Sequence, residues 1–138
     1  MTVLTRQRRR HFVRPEVVAL AASEVQRAAA HTRFEIVAAC YMPDHLHLVV
    51  QGLTTGANFL TFIAKAKQFS AYYVKRRFGI VLWARGYHDR IVREDECVAR
   101  YVAYVRNNPV KAKLVKNPED YPFLTLSPGW REYFERAG

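Results

Sequence analysis

A chain of 138 residues that is 50% apolar, 13% aromatic and 25% charged has the balance of one folded domain, since at this length a compact chain buries roughly two-thirds of the surface its unfolded form exposes. Lys and Arg number 22 against 12 for Asp and Glu, a formal charge of +10, and so large a positive field points to an anionic polymer as partner. No stretch reaches the roughly 18–20 apolar residues that span a bilayer, and no apolar signal core precedes the first arginines, so the expectation is a cytoplasmic protein with no membrane association.

Thr2 to Thr5 alternates weakly and predicts a short first strand, followed by the basic run Arg6, Arg8, Arg9 and Arg10. Pro15 and Glu16 suit the first turn of a helix, and Val17, Val18, Leu20, Ala21 and Val25 lay an apolar stripe along it to about Ala30. Phe34 to Tyr41 reads as a β-branched and aromatic strand that Met42-Pro43-Asp44 interrupts. Leu46, Leu48 and Val50 then alternate with His45, His47 and Val49, which predicts a hairpin around a tight Pro-Asp turn. After a loop from Gly52 to Gly56, the spacing of Phe62, Ala66, Phe69 and Tyr73 predicts a long helix from Ala57 to about Arg77, with Lys65, Lys67, Lys75 and Arg76 on its other face.

Phe78-Gly79 ends that helix, and Val81 to Trp83 leads into a predicted strand over Tyr87 to Val92. Glu94-Asp95-Glu96 is an acidic first turn suited to the positive end of a helix dipole, and Val98, Tyr101, Val102 and Val105 carry the helix to Asn108, where Pro109 is expected to stop it. The segment from Lys111 to Gly138, punctuated by Pro118, Pro122 and Pro128, reads as a wrapping tail with a last helical turn around Trp130 to Arg136. The element order predicts a single domain over residues 1–138, an α+β fold with a ferredoxin-like antiparallel sheet, helices on one face and a C-terminal helix in addition. Cys40 and Cys97 form no Cys-x-x-Cys pair and are expected to be reduced, buried thiols.

His45 and His47 lie two apart in a strand, so their side chains leave the same face and can converge on one metal ion. A pair of strand histidines facing solvent is the competing reading. Tyr104 and Asn108 lie four apart in a helix and share one face. Against a joint role stand the reading of Tyr101 and Tyr104 as core-edge aromatics and of Asn108 as a helix-ending residue.

The segments Tyr41-Met-Pro-Asp-His-Leu-His-Leu-Val-Val50, Leu82-Trp-Ala-Arg-Gly-Tyr-His-Asp-Arg-Ile-Val-Arg93 and Tyr104-Val-Arg-Asn-Asn-Pro-Val-Lys-Ala-Lys-Leu-Val115 resemble, in that order, the single-tyrosine HUH transposases, most closely the REP-associated tyrosine transposases. The resemblance covers about Phe34 to Phe123. It implies that His45 and His47 bind a divalent metal, Mg2+ or Mn2+, that Asn108 completes that site, and that Tyr104 on the C-terminal helix is the catalytic nucleophile. Imidazole ligands favour Mn2+ over Mg2+ on softness. The resemblance further implies a single-stranded DNA substrate folded into an imperfect hairpin, a 5′-phosphotyrosyl intermediate with a free 3′-hydroxyl, and a monomer or homodimer. A free tyrosine titrates at about 10, so such a nucleophile needs a cation or a base beside it. Two departures stand out: the first strand is short, and Lys113 replaces a glycine that commonly follows the Asn-Pro-Val motif.

Arg6, Arg8, Arg9, Arg10, Lys65, Lys75, Arg76, Arg85, Arg90 and Arg93 are the candidate phosphate contacts, with Arg77 and Lys111 beside them, and Tyr72, Trp83 and Tyr87 are candidate stacking platforms for unpaired bases. His88 is expected to contact DNA or pack locally and not to be a third ligand. The alternative is a non-catalytic or domesticated nucleic-acid-binding module on a ferredoxin-like sheet. Such a module needs exposed aromatics on its strands, where this chain carries His45 and His47. If the positive charge serves a polyanion, the logarithm of the single-strand DNA association constant falls with log salt by about 0.7 per phosphate contact; a flat salt titration excludes that role.

Overall fold

In the computed structural model, which describes residues 1–90 and 97–137, the alternation of leucines with histidines forms the centre of the sheet. The strand β1 spans Thr2–Leu4, β2 spans Phe34–Met42 and β3 spans His45–Gly52. β3 pairs antiparallel with both others, and a fourth strand, β4 at Leu124–Leu126, extends the far edge of β2 to give the order β1-β3-β2-β4. Residues 82–88 lie antiparallel to the outer edge of β1 through two isolated bridges, Thr5 with Trp83 and Thr2 with His88. The strand expected from Tyr87 is therefore reduced, among the described residues, to a single bridge at His88, and Gly86 at φ 76° breaks the run before it. Ile91, Val92 and the acidic turn Glu94-Asp95-Glu96 lie outside the described residues.

Each face of the sheet has its own core. On one, Val3, Ala39, Tyr41, Leu46 and Leu48 meet Val17, Ala21 and Val25 of α1 (Pro15–Thr32) and Phe62, Ile63 and Ala66 of α2 (Phe59–Phe78). Asn58 opens α2 by accepting a hydrogen bond from the Thr61 amide, two residues later than the apolar spacing suggested. On the other face, Ala38, Cys40 and Met42 meet Val102 and Val105 of α3 (Val98–Lys111) and the ring of Tyr121. This is the expected α+β arrangement, with the helix pair on one face and the Tyr104-bearing helix added on the other. No described helix is long and apolar enough to cross a membrane.

Two expectations about α3 and its surroundings are corrected. Pro109 does not stop the helix, which runs on to Lys111 with Pro109 buried inside it. The helix ends instead in a double hydrogen bond, Lys113 N to Val110 O at 2.9 Å and Leu114 N to Pro109 O at 2.9 Å, with Lys113 in the left-handed region at φ 62°. That geometry is the usual reason for a glycine at this point, and it is where the sequence carries a lysine. Cys97 is exposed at the start of α3, while Cys40 is buried in the second core, and burial pushes the Cys40 thiol up to about 12.

The tail does more than wrap. β4 pairs with β2 from Ala38 to Cys40, the Tyr121 hydroxyl donates to the Tyr41 carbonyl at 2.6 Å, and a final helix α4, Pro128–Ala137, brings Trp130 and Phe134 against the α3 side. A three-residue strand between Pro122 and Pro128 is too short to show an alternation of its own.

Two outcomes follow. Lys113→Gly stabilises the fold by about 0.5–1 kcal/mol in urea unfolding, because glycine takes the left-handed position without the Cβ penalty. In the folded protein a disulfide reagent titrates one thiol, Cys97, and the Cys40 thiol reacts only after unfolding.

Candidate active site

Register decides which face carries the polar groups. β2 and β3 pair Cys40 with His47 and Met42 with His45, so both histidines stand on the α3 face, while Leu46 and Leu48 go to the opposite core. The competing reading, a pair facing solvent, does not describe the pair: His47 is buried at 7% exposure and His45 is half-buried. α3 lies across this face, and Tyr104 and Asn108, one turn apart, both reach His47.

The two imidazoles face each other through Nε2, 3.1 Å apart. The Asn108 amide nitrogen lies 3.0 Å from the same His47 Nε2, and a half-turn of the amide presents its oxygen there instead. The Tyr104 ring stands edge-on to the His47 ring at 5.7 Å between centroids, and its side chain is 53% exposed. Lys111 Nζ lies 5.9 Å from the Tyr104 ring centre. Tyr101, one turn earlier, has the Arg90 guanidinium over its ring at 5.8 Å.

Each imidazole is held from behind at Nδ1. Thr2, paired with His47 across β1, places its hydroxyl 3.0 Å from His47 Nδ1. Asp44 Oδ1 lies 2.7 Å from His45 Nδ1, and Arg8 Nε donates to Asp44 Oδ2 at 3.0 Å. Burial, followed by the positive character of His45, pushes the His47 imidazole down to about 4, so it is neutral at neutral pH. Burial alone would raise the Asp44 carboxyl, but the hydrogen bonds from His45 and Arg8 outweigh it and hold the group below its ordinary value. Two ring nitrogens and an amide oxygen make a donor set that suits a divalent cation with oxygen ligands from water or phosphate filling the remaining positions. Among the described residues no third His, Cys, Asp or Glu joins them to make a closed three-ligand group.

The candidate phosphate contacts are dispersed. Arg6, Arg8, Arg9 and Arg10 are exposed in the turns after β1, with Arg6 and Arg9 lining, together with His11 and Gly79, a surface cavity of about 370 Å³. Lys65, Lys75 and Arg76 are exposed on α2, behind the sheet from His45 and His47, and Arg76 donates to the Tyr72 hydroxyl at 3.2 Å. Arg85 is exposed beside β1, Arg90 lies at the Tyr101 ring, and Arg93 is outside the described residues. Trp83 is half-buried, donates from Nε1 to Ser70 Oγ at 2.8 Å and packs on Phe12, while Tyr87 packs on Phe59. The exposed His88 shares the sheet row of Thr2 and His47. Thr2 was not legible as a partner of the site, since only the register brings it to His47; Asp44, adjacent to His45 in the turn, carried a signal that the motif itself contains.

Residues 1–108 match the family described as IS200-like transposase. The chain belongs to that family. It is 31% identical over 117 residues to a Haemophilus influenzae protein assigned as a REP-associated tyrosine transposase, covering 75% of this chain and 65% of that one. The chain therefore spans just under two-thirds of the length of this curated relative. Among solved structures, a REP-associated tyrosine transposase bound to a REP hairpin superposes with a TM-score of 0.77 at 23% identity, over 90% of this chain and 73% of that one. A transposase structure from Deinococcus radiodurans superposes with a TM-score of 0.58 at 22% identity, over 84% and 87%. Both likenesses concern the fold.

Proposed function

We propose that this IS200-like transposase is a metal-dependent nuclease and strand transferase for single-stranded DNA, acting beside a hairpin through Tyr104. The observation that carries this reading is that α3 sets a half-exposed Tyr104 and an inward Asn108 against one histidine of a facing pair, at 5.7 Å between rings and 3.0 Å between nitrogens. His45, His47 and Asn108 would hold Mg2+ or Mn2+, which when bound supplies Lewis-acid polarisation of the scissile phosphate. Tyr104 Oη attacks phosphorus, the bond to the 3′ oxygen breaks, and that oxygen leaves as a hydroxyl after taking up a proton, so the strand is left joined to the enzyme through a 5′-phosphotyrosine. Attack by another 3′-hydroxyl reverses the step and joins strands without any outside energy source.

The formal charge of +10 fits a polyanion, and the solved relative bound to a REP hairpin supports the same class of substrate for this chain. Arg6, Arg9, Arg10 and Arg85, all exposed, are candidates for its phosphates.

The test is a denaturing-gel assay with Mn2+ and single-stranded hairpins drawn from repeats flanking the gene. Wild-type protein forms a covalent adduct that EDTA prevents, Tyr104→Phe forms none, and His45→Ala or His47→Ala reduces the yield at least tenfold. An adduct that survives in Tyr104→Phe moves the nucleophile to another tyrosine. Tight salt-sensitive binding with no adduct in the wild type favours the non-catalytic module.

A further inference from the structure

The four arginines after β1 have the same charge but not the same surroundings. Among the described residues Arg6, Arg9 and Arg10 make no ion pair, whereas Arg8 donates from Nε to Asp44 Oδ2 at 3.0 Å. The other oxygen of that carboxylate lies 2.7 Å from His45 Nδ1. The chain is bent to make the contact: Gln7 and Arg8 are consecutive residues in the left-handed region, at φ 56° and 53°, a conformation that non-glycine residues keep only when their surroundings impose it. The backbone beneath is fixed as well. Thr5, fully buried, donates its amide to the Asp44 carbonyl at 3.0 Å, and its hydroxyl sits between the carbonyls of Asp44 and Arg9 at 2.9 and 2.7 Å.

We propose that Arg8 and Asp44 form a positioning relay for His45, in which Arg8 is not a DNA contact but holds the carboxylate that aims the imidazole. This rests on the reading of His45, His47 and Asn108 as a divalent-metal site. A carboxylate accepting from Nδ1–H fixes the tautomer that leaves the lone pair on Nε2, the atom that faces His47 at 3.1 Å. An unsupported Asp44, 25% exposed, would have solvent as an alternative partner; Arg8 Nε takes up one carboxylate oxygen, and Thr5 fixes the Asp44 backbone through its carbonyl. The strained turn is thereby explained as the means of carrying a guanidinium from the end of β1 back over the Pro43-Asp44 turn.

The relay is tested by calorimetric titration with Mn2+ alone on the full chain, paired with hairpin binding in EDTA. Asp44→Ala weakens Mn2+ binding about 10–100-fold, the range for loss of such a partner, and Asp44→Asn, which keeps an acceptor but not the charge, falls between it and the wild type. Arg8→Gln weakens Mn2+ binding several-fold and leaves hairpin affinity in EDTA within twofold, while Arg6→Gln does the reverse. Because the Arg8 side chain is 56% exposed, its variant tests the relay even if the Asp44 variants misfold. Wild-type Mn2+ affinity in Arg8→Gln, with a loss of hairpin binding as large as that of Arg6→Gln, makes Arg8 a phosphate contact and overturns the relay. Wild-type affinity in a folded Asp44→Ala also overturns it, with the metal site left standing; a wild-type protein that binds no Mn2+ overturns the metal reading and the relay together.

Discussion

The register of β3 is the constraint on which the rest depends. Side chains alternate faces with a period of two, so slipping this strand by one residue would drive His45 and His47 into the core shared with α1 and α2 and turn Leu46 and Leu48 toward α3. Two neighbours pin it. β1 pairs Val3 with Leu46, both buried on the α1 and α2 side, and β2 pairs Ala39 with Leu48 on that same side. The apolar pairs thus set the alignment, and the histidine-bearing pairs, Thr2 with His47 and Leu4 with His45, receive their positions as a consequence. The site is the reverse side of a hydrophobic decision.

Burying polar groups on that reverse side costs stability unless each finds a partner, of order 1–3 kcal/mol for an unpaired one. Here every buried side-chain nitrogen and oxygen among the described residues has a partner. His47 bonds through Nδ1 to Thr2 and meets His45 and Asn108 through Nε2, and His45 is backed by Asp44. Both rings of the histidine pair are therefore oriented by groups outside the pair. Orientation of that kind is what the proposed strand transfer would draw on, because positioning carries much of the work in such reactions.

Much of this was legible in the sequence, and the gaps have physical causes. The period-two alternation from His45 to Val50 gave the face of the histidines, and the four-residue spacing from Tyr104 to Asn108 gave their shared helical face, because both are local geometric facts. Pro109 was misleading because a proline costs a helix its hydrogen bond to the residue four earlier, and one turn from the end the second core, through Val102 and Val105, outweighs that loss. The burial of His47 and the contact with Thr2 depend on which elements lie across the sheet, information that no window of sequence contains. β4 is illegible for a related reason: three residues between prolines show no periodicity, and only pairing with β2 makes them a strand.

The tail then has a role that its composition conceals. α3 meets the sheet through an apolar strip, Val102 and Val105 against Ala38, Cys40 and Met42, and the tail braces this fourteen-residue helix from outside. Tyr121 closes one side of that strip, its hydroxyl bonded to the Tyr41 carbonyl, while β4 extends the sheet beneath and Phe134 of α4 lies under the Arg106 guanidinium at 4.8 Å. Arg106 also pairs with Glu119 in the turn before Tyr121. Arg106 lies between Tyr104 and Asn108 in the chain, so the same stretch of helix that faces His47 is anchored on its other side by the tail. An axial shift of one helical residue, 1.5 Å, would be enough to part Asn108 from His47, and the contacts of Arg106 with Glu119 and Phe134 oppose it together with the apolar strip.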